Sequence, residues 1–252
     1  MIPAKNEEST IAATVAAADA LPNVATVIVV DDGSSDRTAR YATAAGAIVV
    51  NHDRNRGKAA AIESGVNALG VLEQRDKRPE ADAILLLDAD LGETASGAAP
   101  LIAPVLSGAA ALTIGILPDQ TTAEGDPAGG HGIVLTTARR GIEELCGFTA
   151  KAPLSGQRCI TRRAFELASP LAPGFGIEVG MTIDVVRAGL TVQEIEVALQ
   201  HRATGNDLAG QLHRAKQLKD VTRALTARGL IGRATGELRA DPKGLLQRFR
   251  GR

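Results

Sequence analysis

The chain has 252 residues and a net charge of -1, with 44% hydrophobic and 23% charged residues, so it can bury a sizeable core and is not disordered. Aromatics make up only 2%, with no Trp, which argues against a base-stacking nucleic-acid platform and an aromatic sugar-stacking lectin. Two cysteines, Cys146 and Cys159, cannot build a disulfide framework or a four-ligand zinc site, and a reduced, cytoplasmic chain is expected.

Met1 runs straight into Ile2-Pro3-Ala4-Lys5-Asn6 with no basic segment leading into an apolar one, so no signal peptide is expected. Only Met1 and Ile2 stand before Pro3, too few for a parallel strand; the first strand is expected to be incomplete, through a late start or a truncation. Glu7 to Leu21 reads as a helix with Ile11, Val15 and Ala18 on one face. Ala25 to Val30 is an apolar, β-branched run ending in Asp31 and Asp32, and Ala83 to Leu87 is a second ending in Asp88; such runs are strands buried on both faces. Between them lie a helix from about Asp36 to Ala45, a strand from Ala47 to Val50 and a helix from about Lys58 to Leu72. The alternation predicts a mostly parallel α/β sheet with flanking helices, with its ligand site at the carboxyl ends of the strands.

The uncharged stretch Thr94 to Pro118 is long enough to cross a bilayer, but Pro100, Pro104, Ser107, Gly108 and Gly115 divide it into a short helix and a buried strand, Ala110 to Leu117. Pro118 to Gly132 is expected to be a flexible loop separating two halves. Beyond it the pattern predicts helices over Thr136 to Cys146, Arg162 to Ala168, Glu178 to Ala188 and Asp207 to Arg228. A loop over Pro153 to Arg158, a turn over Pro170 to Gly176 and a strand over Thr191 to Val197 lie among them. Residues 211–252 hold eleven Lys and Arg against three Asp and Glu, a tail of +8 on a body of -9. That tail is either a solvated helical face or a contact for an anionic partner. The chain therefore divides into a first half, 1–117, a second half, 118–206, and a basic helical tail, 207–252.

Asp88-Ala89-Asp90 sits at a strand end, where alternate carboxylates offer hard oxygens to Mg²⁺ or Mn²⁺; the plainer alternative is a polar turn capping the next helix. Asp31-Asp32-Gly33-Ser34-Ser35-Asp36 could bond a nucleobase or ribose, or Ser35 or Asp36 could simply cap a helix. Lys58 at a helix start suits a phosphate or a solvated cap. A P-loop and a dinucleotide Gly fingerprint are both absent. So is the Gly-rich loop with Arg and Lys that a nucleotidyltransferase needs beside its first strand.

Taken in order, Pro3-Ala4-Lys5-Asn6-Glu7, Asp31 to Asp36, Asn55-Arg56-Gly57-Lys58 and Asp88-Ala89-Asp90 resemble the nucleotide-binding half of family 2 glycosyltransferases, of the Rossmann-like GT-A fold. The resemblance implies that Pro3, Ala4, Asn6, Glu7, Asp32 and Ser34 hold the nucleoside, that Lys58 reaches the nucleotide, and that Asp88 and Asp90 hold a metal on the diphosphate. In the second half, Pro153-Leu154-Ser155-Gly156, Ala172 to Gly180 and His201-Arg202 are similar to segments of glucosyl-3-phosphoglycerate synthases. This implies a metal role for His201 and an acceptor site involving Ser155, Gly156, Arg158, Gly176 and Glu178. The resemblance thereby makes 1–117 the nucleotide-binding half and 118–206 the acceptor half. Those synthases carry a Gly-Arg-Val-Thr phosphate segment where this chain has Gly132-Ile133-Val134-Leu135-Thr136-Thr137, which leaves Arg139 and Arg140 to supply the cation.

The implied activity is Mg²⁺- or Mn²⁺-dependent transfer of glucose from a nucleoside-diphosphate sugar such as UDP-glucose to a small anionic acceptor such as 3-phosphoglycerate. Asp90 and Glu178 are the catalytic candidates: a cation on Asp88, Asp90 and His201 stabilises charge on the departing diphosphate, and Glu178 orients or deprotonates the acceptor. For Glu178 and His201 the alternatives are an acid at a helix start and an ordinary surface or core imidazole. A polyprenyl-phosphate acceptor and a noncatalytic nucleotide-sugar-binding protein are the competing functions. Weak, reversible membrane association of the tail and a homodimer are compatible with the sequence; nucleic acid is not an expected partner.

Overall fold

The computed structural model describes residues 1–118, 130–200 and 208–230. Three strands, β1 (Ile2–Ala4), β2 (Ile28–Asp31) and β3 (Ile48–Asn51), pair in parallel with β2 in the centre. A second group, β4 (Ala83–Leu86), β5 (Leu112–Ile116), β6 (Arg158–Thr161) and β7 (Val192–Glu196), is ordered β4-β6-β5-β7. Two hydrogen bonds link the groups: the Met1 amine donates to Leu85 O at 2.8 Å and Leu87 N donates to Met1 O at 3.1 Å. The short first strand forms all the same, with Ile2 opposite Val29 and fully buried.

One strand differs from expectation. β6 runs antiparallel to both β4 and β5, whereas β5 and β7 are parallel. Its first residue is an arginine, and its four residues stand between a loop and a helix, so no apolar run announced it.

Helices α1 (Ile11–Asp19), α2 (Thr38–Ala44) and α3 (Lys58–Asp76) follow the first three strands. A 3₁₀ segment, Gly92–Leu101, runs into α4 (Ile102–Leu106) in the uncharged stretch. Among the described residues no helix is long and apolar enough to cross a membrane. Then come α5 (Gly130–Cys146), α6 (Arg162–Ala168), a 3₁₀ turn at Gly174–Gly176, α7 (Ile177–Arg187) and α8 (Leu208–Ala227). Most of the expected loop between the halves, residues 119–129, lies outside the described residues, as does His201.

The basic helix α8 belongs to the core. Val221 and Leu225 are fully buried among Val134, Ala138 and Ile142 of α5 and Val179 and Ile183 of α7. Its other contact is with the Gly174–Gly176 turn: Phe175 N donates to Asp220, and a side chain at Gly176 would collide with Ala224. Val221 and Leu225 are thereby engaged within the chain rather than offered to a bilayer, whereas on the same helix Leu218 is partly buried and Ala215 exposed.

Candidate active site

Parallel strands aim their carboxyl ends at one edge of the sheet, and a cleft of about 420 Å³ opens there. Pro3 and Ala4 of β1 with Lys5 just beyond it, Asp32 after β2, Asn55 and Gly57 before α3 and Lys58 at its start, and Asp88 after β4 form one side. Leu154, Phe175, Glu178 and Lys216 and Gln217 of α8 form the other.

Lys58 joins the two sides. Its ammonium donates to Asp88 Oδ1 at 2.8 Å and to Glu178 Oε1 at 2.9 Å. Burial pushes this amine down, but the two carboxylates outweigh it and hold the pKa well above the ordinary lysine value. Gly156 lies directly beneath. A Cβ there would stand 2.5 Å from Lys58 Nζ and 2.7 Å from Asp88 Oδ2, so only glycine leaves room for the bridge.

Gln157, which the sequence did not single out, grips Asp88 twice. Its Nε2 donates to Asp88 Oδ2 at 2.6 Å, and its Oε1 accepts from Asp88 N at 3.1 Å. Thr14 steadies the other end of the same turn, donating to Ala89 O at 2.9 Å and accepting from Gly92 N at 2.8 Å. Asp90 sits in that turn, half-buried. Gln157 lies on a loop 69 residues from Asp88, so only the fold brings them together.

Asp32 has both oxygens engaged by the chain. Oδ1 accepts from Arg56 N at 2.7 Å and lies 2.7 Å from His52 Nδ1, and Oδ2 accepts from Gly57 N at 2.8 Å. Burial pushes its pKa up, but the hydrogen bonds from Arg56, His52 and Gly57 together bring it below the usual carboxylate value. Asp31 caps the following turn by accepting from Ser34 N.

The other predicted nucleoside residues knit loops together. Asn6, at a positive φ of 57°, donates from its backbone to Ser34 Oγ at 2.9 Å and accepts from Ser35 N at 2.8 Å. Glu7 N donates to Thr38 Oγ1, and Glu7 O accepts from Ile11 N to open α1. These bonds lock the loop after β1 onto the loop after β2. Pro3, Ala4, Asp32, Lys58 and Asp88 line the cleft; Asn6, Glu7 and Ser34 are not among its lining residues.

The acceptor candidates divide more sharply. Glu178, nearly buried in the first turn of α7, faces Lys58. Arg158, expected to touch the acceptor, is instead 1% exposed inside the sheet. Its guanidinium donates to Ser155 O, Thr182 Oγ1 and Pro153 O, and burial lowers its pKa to about 10. An acceptor cannot reach it, so Arg158 and the buried Ser155 support the Pro153 to Gln157 loop from below. Gly176 is a packing glycine against α8. Arg139 donates to Lys151 O at 2.7 Å, Arg140 is exposed on α5, and neither lines the cleft.

Asp88 and Asp90 are hard oxygen donors at a strand end and fit Mg²⁺ or Mn²⁺ in kind. No group of three or more metal-ligating side chains occurs among the described residues, and the third expected ligand, His201, is outside them.

Residues 1–126, which carry this acidic, lysine-bridged edge of the sheet, match the family model described as glycosyl transferase family 2; the chain belongs to that family. Similar proteins narrow the comparison. Glucosyl-3-phosphoglycerate synthase of Mycolicibacterium paratuberculosis is 28% identical over 212 residues, which is 75% of this chain and 60% of that protein. The Mycobacterium tuberculosis synthase is 27% identical over 238 residues, 85% of this chain and 69% of that one. This chain thus spans about 60% of the length of the first of these relatives. A crystal structure of the M. tuberculosis synthase with phosphoglyceric acid matches at a TM-score of 0.70 and 26% identity, covering 90% of this chain and 78% of that one. Another, with Mn²⁺, UDP-glucose and phosphoglyceric acid, matches at 0.68 and 25% identity, covering 90% and 77%.

Proposed function

We propose that this chain transfers glucose from UDP-glucose to phosphoglycerate with the help of Mg²⁺ or Mn²⁺. The observation that carries the reading is the Lys58 bridge between Asp88, on the nucleotide side of the cleft, and Glu178, on the far side. In this reading residues 1–117 form the donor half, 118–206 the acceptor half and 207–252 a basic helical tail.

Asp88, Asp90 and His201 would hold the cation, which supplies positive charge where the departing diphosphate becomes negative. Pro3, Ala4 and Asp32 border the nucleoside, and the Asp32 carboxylate also holds the loop that carries Lys58. With a diphosphate in the cleft, Lys58 turns from the carboxylates to the phosphate oxygens. Glu178 is then free to accept the hydrogen of the acceptor hydroxyl. The bond from the anomeric carbon to the diphosphate oxygen breaks through an oxocarbenium-like state, and the bond to the acceptor oxygen forms.

A water-soluble acceptor suits this cleft better than a polyprenyl phosphate, because Val221 and Leu225 of α8 are spent on packing within the chain. The same reading places the protein in the cytoplasm, in keeping with a chain that carries only two cysteines. The test is incubation with UDP-glucose and Mn²⁺ and either 3-phosphoglycerate or a short polyprenyl phosphate, with product and anomer determined by NMR. Glucosyl-3-phosphoglycerate is the expected product. Transfer to the lipid alone overturns the acceptor, and binding without any product makes this a nucleotide-sugar-binding protein.

A further inference from the structure

His52 lies just beyond β3 and does not line the cleft, yet both of its ring nitrogens are engaged with its side chain only 4% exposed. Nδ1 is 2.7 Å from Asp32 Oδ1 and Nε2 is 3.0 Å from Ser64 Oγ. An ionised carboxylate only accepts, so Nδ1 carries the proton toward Asp32, which leaves Nε2 to Ser64. The chain of contacts continues from Asp32 to Arg56 N and Gly57 N, the two residues before Lys58. Ser64 sits on α3 six residues beyond Lys58. The imidazole therefore holds the helix on both sides of the lysine.

The need for such a bracket is physical. The terminal torsion of an aspartate is broad and roughly two-fold, so its carboxylate plane is set by its partners. Lys58 is a long side chain that must meet Asp88 and Glu178, which are 30 and 120 residues away. It does so only if its own backbone is fixed. Gly57 stands at φ 91°, a conformation open to glycine, and its N–H is shared between Asp32 Oδ2 at 2.8 Å and Asn55 Oδ1 at 2.9 Å, so the Asp32 bond is what ties this local turn to the sheet.

We infer that His52 is a positioning residue, which fixes the Asp32 carboxylate and through it the Arg56–Gly57 backbone, so that the Lys58 ammonium is delivered to the Asp88 and Glu178 side of the cleft. Its bearing on transfer rests on the donor-site reading above. The test compares the full chain with His52→Ala, His52→Asn and Ser64→Ala by three readouts. These are amide hydrogen exchange at Arg56 and Gly57, acetylation of Lys58 at fixed pH relative to exposed Lys77 and Lys151, and calorimetric titration with UDP and Mn²⁺.

In His52→Ala, exchange at Arg56 and Gly57 and acetylation of Lys58 each rise about tenfold, the scale of one charge-assisted hydrogen bond, while β5 amides stay protected. UDP affinity falls several-fold. His52→Asn, which keeps an N–H toward Asp32, restores most of each readout, and Ser64→Ala moves them less in the same direction. Should His52→Ala fail to fold, the other two variants carry the comparison. Unchanged exchange at Arg56 and Gly57, or faster exchange with Lys58 labelling and UDP affinity unmoved, overturns the inference and makes His52 a packing residue. If the unaltered chain fails to bind UDP, the donor-site reading falls, and exchange and acetylation alone decide the role of His52.

Discussion

Gly156→Ala isolates the geometry of the cleft from its chemistry, because it removes no functional group. Gly156 is not among the glycines at positive φ, so the backbone accepts alanine without strain. The new Cβ stands 2.5 Å from Lys58 Nζ and 2.7 and 2.9 Å from the Asp88 oxygens, so the ammonium or the carboxylate must retreat by about 1 Å to reach van der Waals contact. Lys58 cannot then keep both of its hydrogen bonds at 2.8 and 2.9 Å. Losing one charge-assisted bond costs about 1.5–3 kcal/mol, less here because the Lys58 side chain is 30% exposed, and Gly to Ala returns about 0.4–1 kcal/mol by restricting the unfolded chain. The net loss is about 1–2 kcal/mol, or a thermal midpoint lower by about 2–8 °C for a chain of this size. Catalysis suffers more, since a 1 Å misplacement of a charged group costs on the order of 100-fold in rate. The assay is glucose transfer with Mn²⁺ alongside thermal denaturation, with Gly70→Ala as control, since a Cβ at that helical glycine meets nothing within 4 Å. An unchanged thermal midpoint in Gly156→Ala would refute the Lys58 bridge, and wild-type kcat would show that the new Cβ displaces neither Lys58 nor Asp88 from the positions that transfer needs.

Asp90→Ala is expected to abolish transfer with little change in thermal midpoint, and EDTA to do the same to the unaltered chain; full activity in either case removes the metal from the mechanism. Asp32→Asn is expected to cost about 1–3 kcal/mol in urea unfolding at neutral pH, by taking one acceptor from Arg56, Gly57 and His52. Because the folded pKa of Asp32 is lowered, that stabilisation is present above its ordinary value of 3.8 and is lost as pH falls through the lower folded value. A gap between the two proteins that persists undiminished at strongly acid pH contradicts the assignment. Leu225→Ala is expected to cost about 2–5 kcal/mol in the same assay, since this fully buried side chain of α8 packs against α5 and α7; an unchanged unfolding midpoint means that the helix is a detachable tail.

Much of the donor side was legible in the residues. Two apolar runs, followed by Asp31-Asp32 and by Asp88, were readable as strands whose ends face the ligand edge; β2 is buried on both faces as expected, whereas β4 alternates between buried and partly buried residues and pairs antiparallel with β6. The position of Lys58 at a helix start was likewise local. β6 was not, since a four-residue strand beginning with a buried arginine has neither the length nor the alternation that marks a strand.

What each polar residue does with its neighbours was settled only by tertiary structure. Arg158 and Lys58 are both cations next to glycine-containing loops in the sequence, but one is closed inside the sheet by three oxygens and the other is open to the cleft. Asp32 reads as a ligand contact and proves also to be a backbone clamp, while Gln157 and His52 gave no signal at all. The physical reason is range. Strand and helix periodicity arises from residues a few positions apart, whereas the contacts of Asp88 with Gln157 and of Lys58 with Glu178 join positions 69 and 120 apart, and their hydrogen bonds depend on ångström-scale distances that the packing of the whole sheet sets.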